Sequence, residues 1–181
     1  MRQEKFHHSF LKKISALFFL KKITNVIFIN DDESKNIDNV LFFEINLKNV
    51  VGFYKNDSNP FITREKINEI DSFNLYSIYK ELYEIKKKIM PPIIVKNIKL
   101  FFNPNYNEII AIYLASKNFE SSVFIIFSED EIHLYINENK NLDEIIKNNL
   151  IQFRNKEFLV LEKTQKINNI QLKDFYRLSN R

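Results

Sequence analysis

Four apolar segments in the second half of the chain alternate with short polar turns, and this pattern predicts a β-meander. The segments are 93–102 (IIVKNIKLFF), 107–116 (NEIIAIYLAS), 122–127 and 131–136 (EIHLYI). Apolar side chains fall on both faces of each predicted strand, so both faces of the sheet need cover. We expect helices to supply that cover, which places the chain in the α+β class, with an antiparallel meander sheet packed against several helices.

The last hairpin of this meander specifies its own register. With Glu129-Asp130 as a two-residue turn, Ser128 stands opposite Glu131. The facing pairs are then apolar on one side (Phe127 with Ile132, Ile125 with Leu134, Val123 with Ile136) and mixed on the other (Ile126 with His133, Phe124 with Tyr135). A shift by one residue would mix the two sets, so the turn and the alternation agree.

Apolar residues spaced three and four apart predict several helices. The first covers residues 4–22, with a single apolar stripe of Phe6, Phe10, Ile14, Leu17 and Phe18. The most regular one extends from Phe73 to Ile89, has three lysines in its last turn and ends before Pro91-Pro92. Shorter helices are predicted at 63–70, 141–153 and 172–179.

Strands are predicted at 24–30, 39–48, 50–54 and 157–163, with the polar run 31–39 as a loop. Alternation in the second of these strands separates an inward set (Leu41, Phe43, Ile45, Leu47) from an outward set (Glu44, Asn46, Lys48). The sole glycine, Gly52, indicates a bulge or a sheet edge.

The 181 residues are most simply one domain, 1–181, that is long enough to bury a core. A helix followed by strands occurs twice, so an αβββ duplication with halves 1–62 and 63–181 is the alternative. The run ISALFFL (14–20) is too short to span a bilayer, and no membrane partner is expected.

Composition excludes several chemistries. The chain has no cysteine, which removes disulfides, thiolate metal sites and a cysteine nucleophile, and which makes a reducing cytoplasm the expected location. With one glycine the chain cannot build a glycine-rich phosphate loop or a nucleophile elbow, so no cofactor is expected. The excess of Asn, Lys, Ile and Phe is typical of a bacterial protein from an AT-rich genome.

Charge is distributed unevenly along the chain, although the net charge is +4. Residues 101–150 contain three lysines and eight acidic residues, a net charge of −5, which leaves +9 on the rest. This asymmetry suits a directional protein partner at least as well as it suits DNA. We expect an acidic edge, comprising Glu129, Asp130, Glu131 and Glu138, to face a basic surface of that partner.

Two groups of residues have alternative chemical interpretations. The acidic runs 31–33 and 129–131 fit either a metal site of a divergent nuclease or solvated loops, and turn positions favour loops. The tyrosines Tyr76, Tyr79 and Tyr83, near Lys80 and 86–88, fit a basic helical surface for nucleic acid, a protein-binding hot spot or the margin of a core.

The three histidines do not indicate a catalytic site. His7 and His8 are adjacent and cannot chelate a metal together on a helix, so we expect a solvent-exposed pair. His133 is expected in the middle of a strand with a structural hydrogen bond.

The order of elements over residues 5–115 resembles that of bacterial immunity proteins: a helix, three strands, a turn-rich loop, a helix with KELYEIKKKIM (80–90) and a hairpin. The resemblance implies a small cytoplasmic α+β protein without enzymatic activity that blocks a cognate polymorphic or contact-dependent toxin. A nucleic-acid-associated protein is the second hypothesis, and a metal-dependent nuclease is the third.

Overall fold

The chain folds mainly into antiparallel β-structure. The computed structural model describes residues 2–55, 59–66, 75–103, 108–138, 146, 158–164 and 171–176. Across these ranges the named elements are eleven strands and two helices, α1 (Arg2–Phe18) and α2 (Leu75–Leu82). Helix and strand are mixed as predicted, but strands dominate, and the expected set of several helices is wrong for the described residues.

The first sheet is built from the N-terminal half of the chain and closes with a strand from its middle. Its spatial order is β4-β3-β2-β1-β5, and every neighbouring pair is antiparallel. The strands are β1 (Lys22–Asn30), β2 (Val40–Ile45), β3 (Asn49–Tyr54), β4 (Phe61–Lys66) and β5 (Glu84–Ile94).

The second sheet contains the predicted meander, extended by two strands beside its first member. Its order is β11-β10-β6-β7-β8-β9, again antiparallel throughout. The strands are β6 (Asn97–Asn103), β7 (Glu108–Ala115), β8 (Ser121–Ser128), β9 (Glu131–Glu138), β10 (Phe158–Thr164) and β11 (Gln171–Tyr176). The predicted register of the last hairpin is confirmed at each pair, from Ser128 with Glu131 to Val123 with Ile136.

The main core lies between the two sheets, where α1 joins them. Phe53 of the first sheet lies 5.8 Å from Phe127 of the second, between ring centroids, and Phe18 of α1 stacks on Phe53 at 5.9 Å. The predicted apolar stripe of α1 is confirmed, since its members are buried in this core or pack against it. The inner face of the meander is therefore covered by another sheet and one helix rather than by several helices.

Both outer faces carry smaller apolar clusters. On the first sheet, α2 packs its Tyr76 against Phe42, with ring centroids 5.1 Å apart. On the second sheet, Phe101 and Phe124 belong to a cluster that also contains the buried, helical Ile146. Ile146 is the one described residue of the helix predicted at 141–153, whose other residues lie outside the described ranges.

The helix predicted from Phe73 to Ile89 is wrong beyond Leu82. Residues 84–94 form the edge strand β5, which pairs with β1. Spacings of three and four residues fit a helix, but hydrogen bonds to β1 and burial of Met90 and Ile93 stabilise the strand. Lysines at 86–88 and prolines at 91–92 are residues that protect a free sheet edge against further pairing.

Four smaller predictions differ from the structure. The predicted helix at 63–70 begins as the strand β4, and the predicted helix at 172–179 overlaps the strand β11; residues 67–70 and 177–179 lie outside the described ranges. In β2 the inward set is confirmed except for Leu47, which is exposed in the following turn. Glu44, expected to face outward, is buried on the α2 side of the sheet, where Lys87 Nζ lies 3.2 Å from its Oε2.

Gly52 lies where three strands meet, opposite Phe42 of β2 and Thr63 of β4. A Cβ at this position would stand 2.5 Å from Phe42 Cε1 and 2.7 Å from Thr63 Oγ1. Such distances are too short for any side chain, so the glycine is required by the close approach of neighbouring strands. The predicted bulge or sheet edge is wrong, because β3 pairs in regular register with a strand on each side.

We therefore expect Gly52→Ala to lower the free energy of unfolding by about 1–3 kcal/mol, because the ring of Phe42 must shift within a packed cluster. Urea denaturation of both proteins measures the loss. The double variant Gly52→Ala with Phe42→Leu provides the control, since a smaller side chain should couple favourably with the new methyl group in a double-mutant cycle. Equal stability of the single variant and the wild type would contradict this interpretation.

Candidate partner-binding site

Acidic residues from two distant parts of the sequence meet at one end of the sandwich. The connection between β1 and β2 contacts the start of β9, where the Ile132 N–H donates a hydrogen bond to the Asp38 carbonyl at 2.7 Å. The β8–β9 turn precedes this contact directly. We call this region the acidic end, and it comprises Asp31, Asp32, Glu33, Asp38, Glu129, Asp130 and Glu131.

One of these carboxylates organises the β1–β2 connection. Asp31 Oδ1 accepts hydrogen bonds from the backbone N–H groups of Glu33 and Lys35, both at 2.9 Å. The Asp31 N–H donates to the Lys35 carbonyl at 2.8 Å, and Ser34 adopts a left-handed conformation at φ 60°. Asp31 therefore holds the shape of the loop, whereas Asp32 and Glu33 are exposed at its tip.

A pocket of about 220 Å³ opens beside this loop. Its walls come from β1, the β1–β2 connection, the start of β2 and β9, so both sheets contribute. The apolar lining residues are Phe28, Ile37, Val40, Leu41, Ile132 and Leu134, and the polar ones are Asn36, Asp38, His133 and Tyr135. A small pocket with an apolar floor and an acidic margin can take a side chain that has an aliphatic stem and a positive head.

His133 is part of this pocket and contacts a carboxylate of its own strand. His133 Nε2 lies 3.2 Å from Glu131 Oε2, and both side chains are roughly half exposed. The structural contact expected for a mid-strand histidine is thus present, and its partner is one of the predicted edge carboxylates. The sequence does not predict this pocket, because its walls meet only when the two sheets pack together.

The structure brings some of the predicted partner-binding residues together and separates others. Glu129, Asp130 and Glu131 lie in one turn, but Glu138 pairs with Ser121 at the other end of β9. Seven residues of strand place it roughly 23 Å from Glu131. The side chain of Glu138 lies outside the described part of the molecule.

The three tyrosines lie on the outer face of the first sheet, in the cluster under α2. Tyr76 is buried there, and Tyr79 and Tyr83 are half-buried with ring centroids 5.5 Å apart. Ile37 packs against this cluster and also lines the pocket, so it links the tyrosines to the acidic end. The prediction that these tyrosines contact a partner stays a prediction.

The structure bears on the metal-site and basic-helix interpretations and on the predicted exposure of His7. Among the described residues, no group of three or more His, Asp or Glu side chains is placed to hold a metal ion. Lys86, Lys87 and Lys88 lie on the strand β5, so they do not form the basic helical surface expected beside the tyrosines. His7, expected in solvent, is buried and stacks on Phe102 at 3.8 Å, because α1 packs into the sandwich.

Burial raises the pKa of two tyrosines. For Tyr79 the burial effect is the larger cause, and the neighbouring Tyr54 and Tyr83 add to it. For Tyr113 burial also raises the pKa, while the neighbouring Ser122 lowers it in part. In both cases the charged phenolate is disfavoured by the folded protein.

We expect stability to fall as the pH rises above the ordinary tyrosine value of 10.0, because the unfolded chain loses these two protons before the folded chain does. Urea midpoints measured from about pH 8 upwards test this, with absorbance at the phenolate band as a parallel readout. The variant Tyr79→Phe with Tyr113→Phe should show a shallower decline. An identical decline in the variant and the wild type would assign the alkaline transition to other groups.

Comparisons with known proteins assign no family to this chain. Scans against protein-family models, curated proteins and solved structures found no match for the chain. Within the described ranges, neither helix has the length and apolar character needed to cross a bilayer.

Proposed function

We propose that this chain is a binding protein without catalytic activity whose acidic end covers a basic surface of a partner protein. In line with the resemblance of its layout to bacterial immunity proteins, the partner would be a toxin or effector that is blocked by steric occlusion. One observation carries the proposal: two separate acidic segments meet at one end of the sandwich, beside a small pocket that Asp38 lines.

The charge of this end supports association with a basic protein. Among the described residues of this end, Glu131 lies 3.2 Å from His133 Nε2, and Glu33 pairs with Lys35. Both side chains of that pair are mostly exposed, so the pair neutralises little of the local field. A concentrated negative patch accelerates encounter with a positive surface and disfavours acidic competitors.

The size of the pocket favours a protein partner over a small molecule. Small-molecule sites usually have volumes of about 300–1,000 Å³, and this pocket is smaller. A lysine or arginine of the partner could place its aliphatic stem along Ile132 and Leu134, with its charge near Asp38. Such an anchored side chain surrounded by weaker contacts is typical of a binding hot spot.

The acidic end is also held in place before any partner arrives. The β8–β9 turn is fixed by the ladder on both of its sides, and the β1–β2 connection is fixed by Asp31 and by the bond from Ile132. A preorganised surface loses less conformational entropy on binding than a mobile loop does. This suits an inhibitor, which must bind tightly through a surface of limited size.

We expect charge reversal at Asp130→Lys with Glu131→Lys to abolish capture of the partner. Tagged wild-type protein, used as bait in lysate of its own host, should retain a basic protein in stoichiometric amount after nuclease treatment. The association rate of the purified pair should fall by at least roughly tenfold in the variant at low salt.

The matched control is Glu120→Lys, an exposed site at the opposite end of the sandwich, which is compared with the single variant Asp130→Lys because both change the net charge by the same amount. Capture by the control should equal capture by the wild type. Unchanged capture by the acidic-end variant would refute the proposed interface, and material that disappears after nuclease treatment would instead support the nucleic-acid hypothesis.

A further inference from the structure

The end of the sandwich opposite the acidic end has a different chemistry, and hydrogen bonds join its turns into one rim. Asn46 N–H donates to the Lys22 carbonyl at 2.8 Å, and Leu20 N–H donates to the Val95 carbonyl at 2.8 Å. Lys96 N–H donates to the Ala115 carbonyl at 2.8 Å. The turns after α1, between β2 and β3, between β5 and β6, and between β7 and β8 are therefore neighbours.

Large apolar side chains are exposed on this rim. The exposed fractions are 56% for Leu20, 66% for Leu47, 50% for Ile94 and 39% for Phe119. The ring of Phe119 stacks partly on the ring of Tyr113, with centroids 6.4 Å apart. Four exposed apolar residues in four adjoining turns form a patch rather than the scattered exposure that is normal on a protein surface.

Three of the four residues also adopt a backbone conformation that large side chains avoid. Leu20 and Leu47 have φ of 60°, and Phe119 has φ of 61°. Asn46 and Leu47 are the central residues of a turn closed by the Lys48 N–H to the Ile45 carbonyl, where Asn-Gly is the favoured pair. Asparagine is abundant in this chain and tolerates the conformation better than leucine, so folding alone does not account for leucine at these tips.

Lysines surround the apolar tips. The same turns carry Lys21, Lys22, Lys48, Lys96 and Lys117, and their one described carboxylate is Glu120. The edge strand β9 also ends on this side, at Glu138. Burial, and to a smaller extent the nearby Arg64, lowers the pKa of Lys21.

We propose that this rim, which we call the basic end, docks on the interface of an anionic lipid bilayer, with Leu20, Leu47, Ile94 and Phe119 among the headgroups and the lysines on the anionic lipids. The inference is independent of the function proposed for the acidic end. Apolar residues flanked by lysines are the combination that binds peripheral proteins to anionic membranes.

Nucleic acid or an acidic protein at the basic end would account for only part of its arrangement of lysines and exposed apolar residues. Nucleic acid would use the lysines, but stacking on bases needs aromatic rings, and three of the four exposed tips are aliphatic. An acidic protein would need a separate pocket for each tip, whereas the headgroup region accepts apolar side chains at any spacing. The charge separation between the two ends would also leave the acidic end directed away from the membrane.

Vesicle co-sedimentation tests the proposal with the full chain. We expect the wild type to bind vesicles of phosphatidylcholine mixed with phosphatidylserine, to ignore phosphatidylcholine alone, and to dissociate as salt is raised. The variant Leu20→Asn with Leu47→Asn should partition at least roughly tenfold more weakly. Its melting temperature should be equal or higher, because asparagine relieves the left-handed strain at both positions.

The matched control is Phe61→Thr with Leu82→Gln, which removes two side chains that are similarly exposed, at 61% and 63%, away from the basic end. This control should bind vesicles like the wild type. The proposal is overturned if the wild type does not bind anionic vesicles, or if the Leu20 and Leu47 variant binds them unchanged. It is equally overturned if a labelled single-stranded oligonucleotide displaces the protein from the vesicles and binds the variant as tightly as the wild type.

Discussion

The structure depends on the burial of two sheet faces against each other, with α1 filling one side of the space between them. The aromatic contact from Phe18 through Phe53 to Phe127 crosses this core and joins one helix and both sheets. Each sheet alone would expose a complete apolar face to water, so neither half of the chain has an alternative of comparable stability. Positions elsewhere, such as the edge strand β5 and the buried His7, follow from this packing.

Because the two antiparallel sheets pack with their ends aligned, the connections between described strands lie at one end of the sandwich or the other. Acidic residues collect in the β1–β2 connection and the β8–β9 turn, whereas lysines and exposed apolar residues collect in the turns around Val95. The pocket at the acidic end exists because a loop of the first sheet lies against the edge strand of the second. The two proposed binding surfaces are thus products of the topology.

The chain has one glycine, so its left-handed turn positions are occupied by other residues. The one glycine serves close strand packing at Gly52, and the left-handed turn positions are occupied by Leu20, Ser34, Asn46, Leu47, Phe119 and Glu129. Serine, asparagine and glutamate at such positions are accounted for by solvation and turn chemistry. Leucine and phenylalanine at such positions carry a steric cost, and this cost is one of the observations behind the proposal that the basic end binds a membrane.

The sequence by itself determined those features that depend only on residues close together in the chain. Alternation with a two-residue turn specified the β8–β9 register, and the three-and-four spacing specified the buried stripe of α1. Charge counting identified the acidic turn. Tertiary structure decided the rest, because Ile85 and Ile89 fit a helix or a strand equally well and only the edge of β1 selects the strand. The meeting of Asp38 with Ile132, the burial of Glu44 and the adjacency of Leu20, Leu47 and Phe119 depend on contacts between residues far apart in the chain, which no local pattern encodes.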